Sequence, residues 1–208
     1  MIKQPNIVAN VAVWISGIIF LSSFVPQIFL NFKLKTTSGL SDLFLLGLLN
    51  SQACYVGFTF STKLPLVYKI FNPLYFFLIL VLIFQRYFYY TNHKNNKFLF
   101  IYFINFFLVL ILIFYVTNYN LTWGYFLGWL PIGISFFKKF PQIFKIYMKK
   151  SIKGFSLYFV LIVLLAYSFE GFAALILKLP SQILYADLKG ILFYLIFLLQ
   201  FVLYKNNS

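Results

Sequence analysis

The stretch SFVPQIFLNFKLKTTSGLS, residues 23–41, sets a proline and a glutamine inside an apolar run and closes it with lysines, hydroxyl residues and a glycine. Residues 139–156, KFPQIFKIYMKKSIKGFS, repeat the arrangement. Sliding the chain against itself by 115 residues aligns Pro26-Gln27-Ile28-Phe29 with Pro141-Gln142-Ile143-Phe144 and Gly39 with Gly154, without a gap. The same offset pairs Trp14 with Trp129, Ser41 with Ser156, Lys63-Leu64-Pro65 with Lys178-Leu179-Pro180, and Gln85 with Gln200. A composition rich in Phe and Leu matches those two residues by chance, but not this register of Trp, Pro, Gln and Gly. The chain is one unit written twice.

Each unit is a membrane unit. Of the 208 residues, 62% are hydrophobic and only 10% charged, and the mean hydropathy is +0.91, far outside soluble composition. A hydrocarbon core of roughly 30 Å takes about 20 helical residues to cross. Apolar runs near 7–30, 40–61, 70–90, 98–117, 122–146, 155–177 and 181–204 therefore read as seven spans. The first run continues past residue 30 with no small-residue cleavage site, so it reads as a span and not as a removable signal peptide. The fourth run has no counterpart under the 115-residue offset and reads as a linker. Three spans plus one linker span make an even number, so the second unit enters the membrane in the same sense as the first, and the repeats are parallel. The expected fold is all-α: a first three-helix repeat over 7–91, a linker helix over 98–117 and a second three-helix repeat over 122–205.

The formal charge of +14 does not point to nucleic acid, because the basic residues gather at the ends of apolar runs. With the N-terminus outside and the C-terminus cytoplasmic, the inner connections hold Lys33, Lys35, Arg86, Lys94, Lys97, Lys145, Lys149, Lys150, Lys153 and Lys205, and the outer side holds Lys3, Lys63, Lys69, Lys178 and Lys189. Cys54 is the single cysteine and His93 the single histidine, which supplies neither a metal-ligand cluster nor a triad. No catalytic group, metal or cofactor is expected, and the chain reads as a non-enzyme.

With the repeat in view, the chain resembles the PQ-loop proteins, the group that includes cystinosin and is related to the SWEET sugar transporters. The resemblance rests on Pro26-Gln27, Asn31-Phe32-Lys33, Lys35-Thr36 and Gly39-Leu40-Ser41, on the second copy of the pair at Pro141-Gln142, and on FQRYFYY at 84–90. It implies a central pathway between two triple-helix bundles that alternates its access by bending near the PQ turns, with Pro26, Gln27, Pro141 and Gln142 as hinges. Proline removes a backbone donor and crowds the preceding turn, so a kink is expected at each.

The candidate pathway residues follow from periodicity. Ala12, Ser16, Ser23, Gln27 and Asn31 recur at helical spacing on the first span, and Gly124, Gly128, Pro131, Ser135, Lys138 and Gln142 on the fifth. On the second span Gly47, Asn50, Ser51, Cys54, Gly57 and Ser61 form a stripe expected to face the pathway or the first span. Lys138 either lines the inner half of the path or snorkels with Lys139 to the inner surface.

Only three acidic residues exist, Asp42, Glu170 and Asp187. Asp42 reads as a solvated or helix-start charge. Glu170 and Asp187 fall at similar depths in the outer half of the membrane, where ionisable groups are costly and functional. Their counterparts in the first repeat are Tyr55 and Asn72. Asn72 and Asp187 also resemble the paired polar residues of the third span of each unit in cystinosin-like and SWEET-like proteins. Val163 stands where cystinosin-type transporters carry an acidic residue, so proton coupling falls to Glu170 and Asp187. A structural pairing of these carboxylates with Lys178 or Lys189 is the competing reading.

The expected site is thus Asn72, Asp187, Tyr55, Glu170, Asn50, Ser23 and Lys138 for solute, with Asp187 and Glu170 for protons. The expected partners are a small-molecule solute, membrane lipid and protons, with no nucleic acid and a homo-oligomer left open. The first expectation is an amino-acid transporter, the alternatives a sugar facilitator or a receptor or accessory protein of the same fold. The membrane is a bacterial inner membrane or a eukaryotic endolysosomal or plasma membrane. Tags at the N-terminus and in the 117–122 connection should report outside, and tags at 91–97 and the C-terminus inside; termini found on the same side would remove the seven-span reading.

Overall fold

The structure, a computed structural model, describes residues 7–62, 64–89 and 121–204, together with Ile101, Ile104, Asn105, Phe107, Leu108 and Ile111. Six helices run through these residues: α1 (Ile7–Leu34), α2 (Asp42–Ser61), α3 (Leu66–Phe88), α4 (Leu121–Lys149), α5 (Leu157–Leu177) and α6 (Ser181–Leu203). The six isolated positions between 101 and 111 are helical. The rest of the expected linker span lies outside the described residues.

Five of the six helices are long and apolar enough to cross a membrane. The sixth, α4, is the longest at 29 residues. Its glycines, prolines and paired lysines lower its hydropathy, and all of Gly124, Gly128, Pro131, Ser135, Lys138 and Gln142 turn inward and are buried. A helix with so polar a seam is stable in lipid only because protein covers that seam.

The helix ends repeat as the sequence does. Pro65 and Pro180 open α3 and α6, where a missing N–H costs nothing and the fixed φ suits a first turn. Ser156 caps α5, its hydroxyl accepting from the Phe159 amide at 3.2 Å. Beyond the described ends of α1 and α4, Lys35 and Lys150, equivalent under the 115-residue offset, each turn left-handed, at φ 50° and 45°.

Packing shows how the two units join. Within the first repeat α3 touches both α1 and α2, and within the second α6 touches both α4 and α5. Between repeats α1 packs on α5 and α2 on α4, the first helix of each unit against the second of the other. Both cross-repeat pairs are antiparallel: Gly47 meets Lys138 and Gly124 meets Ser61, while Phe20 meets Tyr167 and Phe24 meets Phe159. The small stripe on α2 therefore lies against α4. Of the two faces expected for it, the first span is not the one found, because Gly47, Ser51 and Ser61 meet the seam of the opposite repeat and not α1.

Two apolar clusters fill the bundle. One, around Phe24, Phe44, Phe155, Phe159 and Phe197, occupies the end that carries the PQ pairs. The other, around Val13, Phe58, Val67, Tyr68 and Ile183, occupies the opposite end.

Gln85 and Gln200 mark where the repeats have diverged. Each donates to a carbonyl just past a PQ pair, Gln85 to Ile28 at 3.0 Å and Gln200 to Ile143 at 2.8 Å. Asn31 then donates to Gln85 Oε1 at 3.0 Å. At the position equivalent to Asn31 stands Ile146, and Gln200 Oε1 is buried without a partner. Replacing Gln85 by Leu strands the Asn31 amide as well as the Ile28 carbonyl, so it should cost about 1–3 kcal/mol more than Gln200→Leu. Thermal unfolding of the two variants in detergent measures the difference, and equal losses would show that Asn31 contributes nothing through Gln85.

Candidate functional site

The glutamine of each PQ pair reaches into the other repeat. Gln27 Nε2 donates to the Gly154 carbonyl at 3.1 Å, and its Oε1 accepts from the Ser156 amide at 2.9 Å. Gln142 Nε2 donates to the Gly39 carbonyl at 2.8 Å, and its Oε1 accepts from the Ser41 amide at 2.7 Å. Each carboxamide thereby serves the turn before a helix, α5 in one case and α2 in the other, where backbone groups lack helical partners. Both glutamines are fully buried. This answers the problem their position in an apolar run poses: they are paired, and paired across the repeat boundary.

Between the two clasps the turns themselves touch. A methyl group on Gly39 would overlap the carbonyl of Gly154, and Gly154 has φ +80°, where a side chain is strained. Glycine is required here by contact as well as by backbone angle. The two turns of the PQ end are consequently in direct contact.

Asymmetric contacts reinforce the first turn. Arg86 makes a two-pronged pair with Asp42, Nε to Oδ1 at 2.9 Å and Nη2 to Oδ2 at 3.0 Å, and its Nη1 donates to Thr37. Lys145 donates to the Leu40 carbonyl. Asp42 is thus a helix-start charge that is paired and not left to solvent, because α3 brings Arg86 to the start of α2. The equivalents of Asp42 and Arg86 are Leu157 and Phe201, so the second turn has no such pair.

At the opposite end of the bundle lies a cavity of about 90 Å³. Its walls come from α1, α2, α3, α5 and α6, with Ser16, Gln52, Tyr55, Thr59, Tyr68, Asn72, Tyr75, Tyr167, Glu170 and Asp187 as the polar lining. Glu170 and Asp187 both open onto it. In the first repeat the equivalent corner is internally bonded: Gln52 donates to the Asn72 carbonyl at 3.1 Å and to its Oδ1 at 3.2 Å, and Asn72 Nδ2 donates to Thr59 at 2.7 Å. In the second repeat Tyr167 and Ala174 replace Gln52 and Thr59. Asp187, only 1% exposed, keeps Oδ2 without a partner, as does Tyr68 its hydroxyl.

Of the residues expected at the site, the fold brings Asn72, Asp187, Tyr55 and Glu170 to this one cavity. Ser23, Asn50 and Lys138 are not in its lining. Ser23 is fully buried with its hydroxyl on the Phe20 carbonyl, and Asn50 donates back to the Leu46 carbonyl. Lys138 is buried between α4 and α2 and donates to Ser51 at 2.6 Å. It does not snorkel, and neither does Lys139, whose ammonium lies over Tyr194, Phe193 and Tyr167 with centroids at 4.7, 5.0 and 5.4 Å. Both side chains project inward because the seam of α4 faces the bundle. Lys189 donates to the Ile132 carbonyl at 2.7 Å and lies over Phe136, so it is held on α4.

Sequence reasoning passed over Gln52, Thr59, Tyr68, Tyr75 and Tyr167. The signal was present: Gln52, Tyr55 and Thr59, like Tyr68, Asn72 and Tyr75, recur at the three-to-four-residue spacing of one helix face.

The PQ loop repeat family model matches residues 8–68 and 123–183. The chain belongs to the PQ-loop repeat family. It is an integral, multi-pass membrane protein. Each matched segment runs from the first helix of a unit into the start of its third and contains the glutamine of one clasp and the turn that the other serves, while Asn72 and Asp187 of the cavity wall lie beyond the matched residues. The fold is similar to that of a eukaryotic SWEET transporter solved at 3.7 Å resolution, with a TM-score of 0.68 and 18% identity over 96% of this chain and 98% of that one. No curated protein sequence matches significantly.

In this PQ-loop protein the contact between Gly39 and Gly154 leaves no room for a methyl group, and backbone atoms cannot rotate aside. Gly39→Ala should therefore hold the PQ end apart. With Cys54 replaced by Ala and a cysteine placed at Ser16 in the cavity wall, a membrane-impermeant thiol reagent added on the PQ side should label the Gly39→Ala variant at least several-fold faster than its parent. An unchanged labelling rate would mean that the glycine contact does not govern access.

Proposed function

We propose that this protein is a membrane transporter for a small polar organic solute and works by alternating access. The observation that carries the reading is the pairing of opposites along one bundle: an acidic cavity at one end, and at the other a closure made wholly of contacts between repeats. That is the geometry expected of one access state. Opening the PQ end requires the two glutamine clasps to release together, and Pro26 and Pro141 lie immediately beside them within α1 and α4. A helix lacking one backbone hydrogen bond bends there at lower cost, so the two pairs act as hinges.

The three-helix units 7–91 and 122–205 would move against each other about the pathway, joined by the 98–117 linker, with the cavity end outside and the PQ end cytoplasmic. Glu170 and Asp187 are the proposed proton-exchanging pair. Two carboxyl groups in one cavity interact strongly, and a proton or a solute can relieve the repulsion between them.

Proteoliposomes containing the full chain should exchange a labelled solute from a panel of amino acids, sugars and amines by counterflow. Flux of that solute should rise with an imposed pH gradient. Asp187→Asn should lose that response while keeping gradient-independent exchange. Flux indifferent to the gradient in the wild type, with Asp187→Asn transporting normally, would remove the proton role; no counterflow across the panel would remove transport itself.

A further inference from the structure

The free hydrogen-bonding capacity of the cavity is unevenly distributed, and this narrows what can bind there. Gln52, Asn72 and Thr59 satisfy one another, and the Ser16 hydroxyl donates to the Val13 carbonyl at 2.9 Å. The amide donors of this wall and the Ser16 hydroxyl are thereby engaged, which leaves fewer donors for the hydroxyls of a sugar. Among the described lining residues, the buried atoms without partners are Asp187 Oδ2 and the Tyr68 hydroxyl, beside the second carboxyl group of Glu170. The charge that faces the cavity is acidic.

The rest of the wall is aromatic. Phe20, Tyr55, Phe71, Tyr75 and Tyr167 line the same space, and faces of such rings attract cations. No lysine, arginine or histidine is among the described residues that line it. The lysines nearest to it in the second repeat are held elsewhere: buried Lys138 on Ser51, half-buried Lys189 on the Ile132 carbonyl, and buried Lys139 among the rings of Tyr167, Phe193 and Tyr194. A solute carboxylate entering the cavity would meet two carboxyl groups and no lining cation.

We propose that the cavity binds an organic cation without a carboxylate of its own, an alkylamine or quaternary ammonium, with its charged head at Asp187 and Glu170 and its carbon skeleton against the aromatic wall. This deepens the transport reading by naming the solute class, and it rests on that reading only for what happens to the solute after it binds. It also departs from the amino-acid expectation, since an α-amino acid brings the anion that the cavity has nothing to hold. The two carboxyl groups belong to the second repeat alone, their equivalents being Asn72 and Tyr55. The fold can therefore be built with neutral groups at these positions, and the acids are an addition to it.

The test is thermal stabilisation of the purified full-length protein in detergent, because a ligand of the folded state raises its apparent stability. The probes are choline, ethanolamine, the uncharged carbon isostere of choline (3,3-dimethylbutan-1-ol), glycine betaine and glucose, each at matched ionic strength. Choline or ethanolamine should raise the Tm in a saturable way, with an apparent affinity roughly tenfold or more above those of the isostere and of glycine betaine. Asp187→Asn, which installs the first-repeat residue, should abolish the shift while remaining folded, as shown by an unchanged elution volume and a cooperative transition. Glu170→Gln should weaken it.

If neither amine outperforms the uncharged isostere, or if glycine betaine or glucose stabilises more than choline, the cation assignment is wrong. An amine shift that survives in Asp187→Asn would also overturn it, by placing binding elsewhere. The outcome is separable from that for transport: amines that bind but show no counterflow would end the transporter reading and leave this site standing, whereas saturable flux of another solute without amine binding would do the reverse.

Discussion

The reciprocal reach of Gln27 and Gln142 is the constraint on which the remainder of the bundle rests. A carboxamide inside an apolar helix must find partners, and neither glutamine bonds to the turn of its own repeat. Each instead completes the amide and carbonyl groups of the turn that precedes the other unit's second helix. Those four bonds set the register between repeats, bring Gly39 against Gly154, and lay α1 along α5 and α2 along α4. They also place both prolines within one residue of a contact that must break if the PQ end is to open. Bonds of this kind are well suited to a switch, because each contributes about 1 kcal/mol net when made and costs more only if left unmade in a dry setting.

Duplication supplied the symmetry, and the departures from it are concentrated where charge is concerned. Arg86 with Asp42 locks the first turn, while the second turn has Leu157 and Phe201 in their places. Glu170 and Asp187 stand where the first repeat has Tyr55 and Asn72, and Lys138 and Lys139 where it has Ser23 and Phe24. Intramembrane charge is therefore a property of the second repeat. Its acids open onto the cavity, and Lys139 lies behind the ring of Tyr167. The first repeat provides a neutral, internally bonded wall, so the cavity has one acidic side and one inert side. An asymmetric solute fits such a space better than a symmetric one.

Much of this was legible in the chain of letters. The offset of 115 residues identified the duplication, and hydropathy located the spans, because crossing a bilayer demands long apolar helices whatever they pack against. Periodicity marked the inward seams of α1 and α4, since a polar stripe in lipid must face protein. The acids Glu170 and Asp187 stood out by rarity. What these signals lack is a direction across space. Lys138 could line a path or snorkel on the sequence alone, and only its packing against Gly47 and its bond to Ser51 decide that it does not snorkel. Asp42 looked like a solvated end because Arg86, 44 residues away, gives no local sign of its approach.

The sequence by itself determined that the protein is helical, membrane-embedded and duplicated, and which helix faces turn inward, because each of these follows from the cost of exposing polar groups to hydrocarbon along one helix at a time. The tertiary structure decided which inward face meets which. It assigned the α2 stripe to α4, crossed the two glutamines between repeats, and separated the carboxyl groups that open onto the cavity from the lysines buried beside it. Those outcomes depend on contacts such as Lys138 with Ser51 and Gln27 with Ser156, 87 and 129 positions apart, on which the periodicity within a single helix is silent.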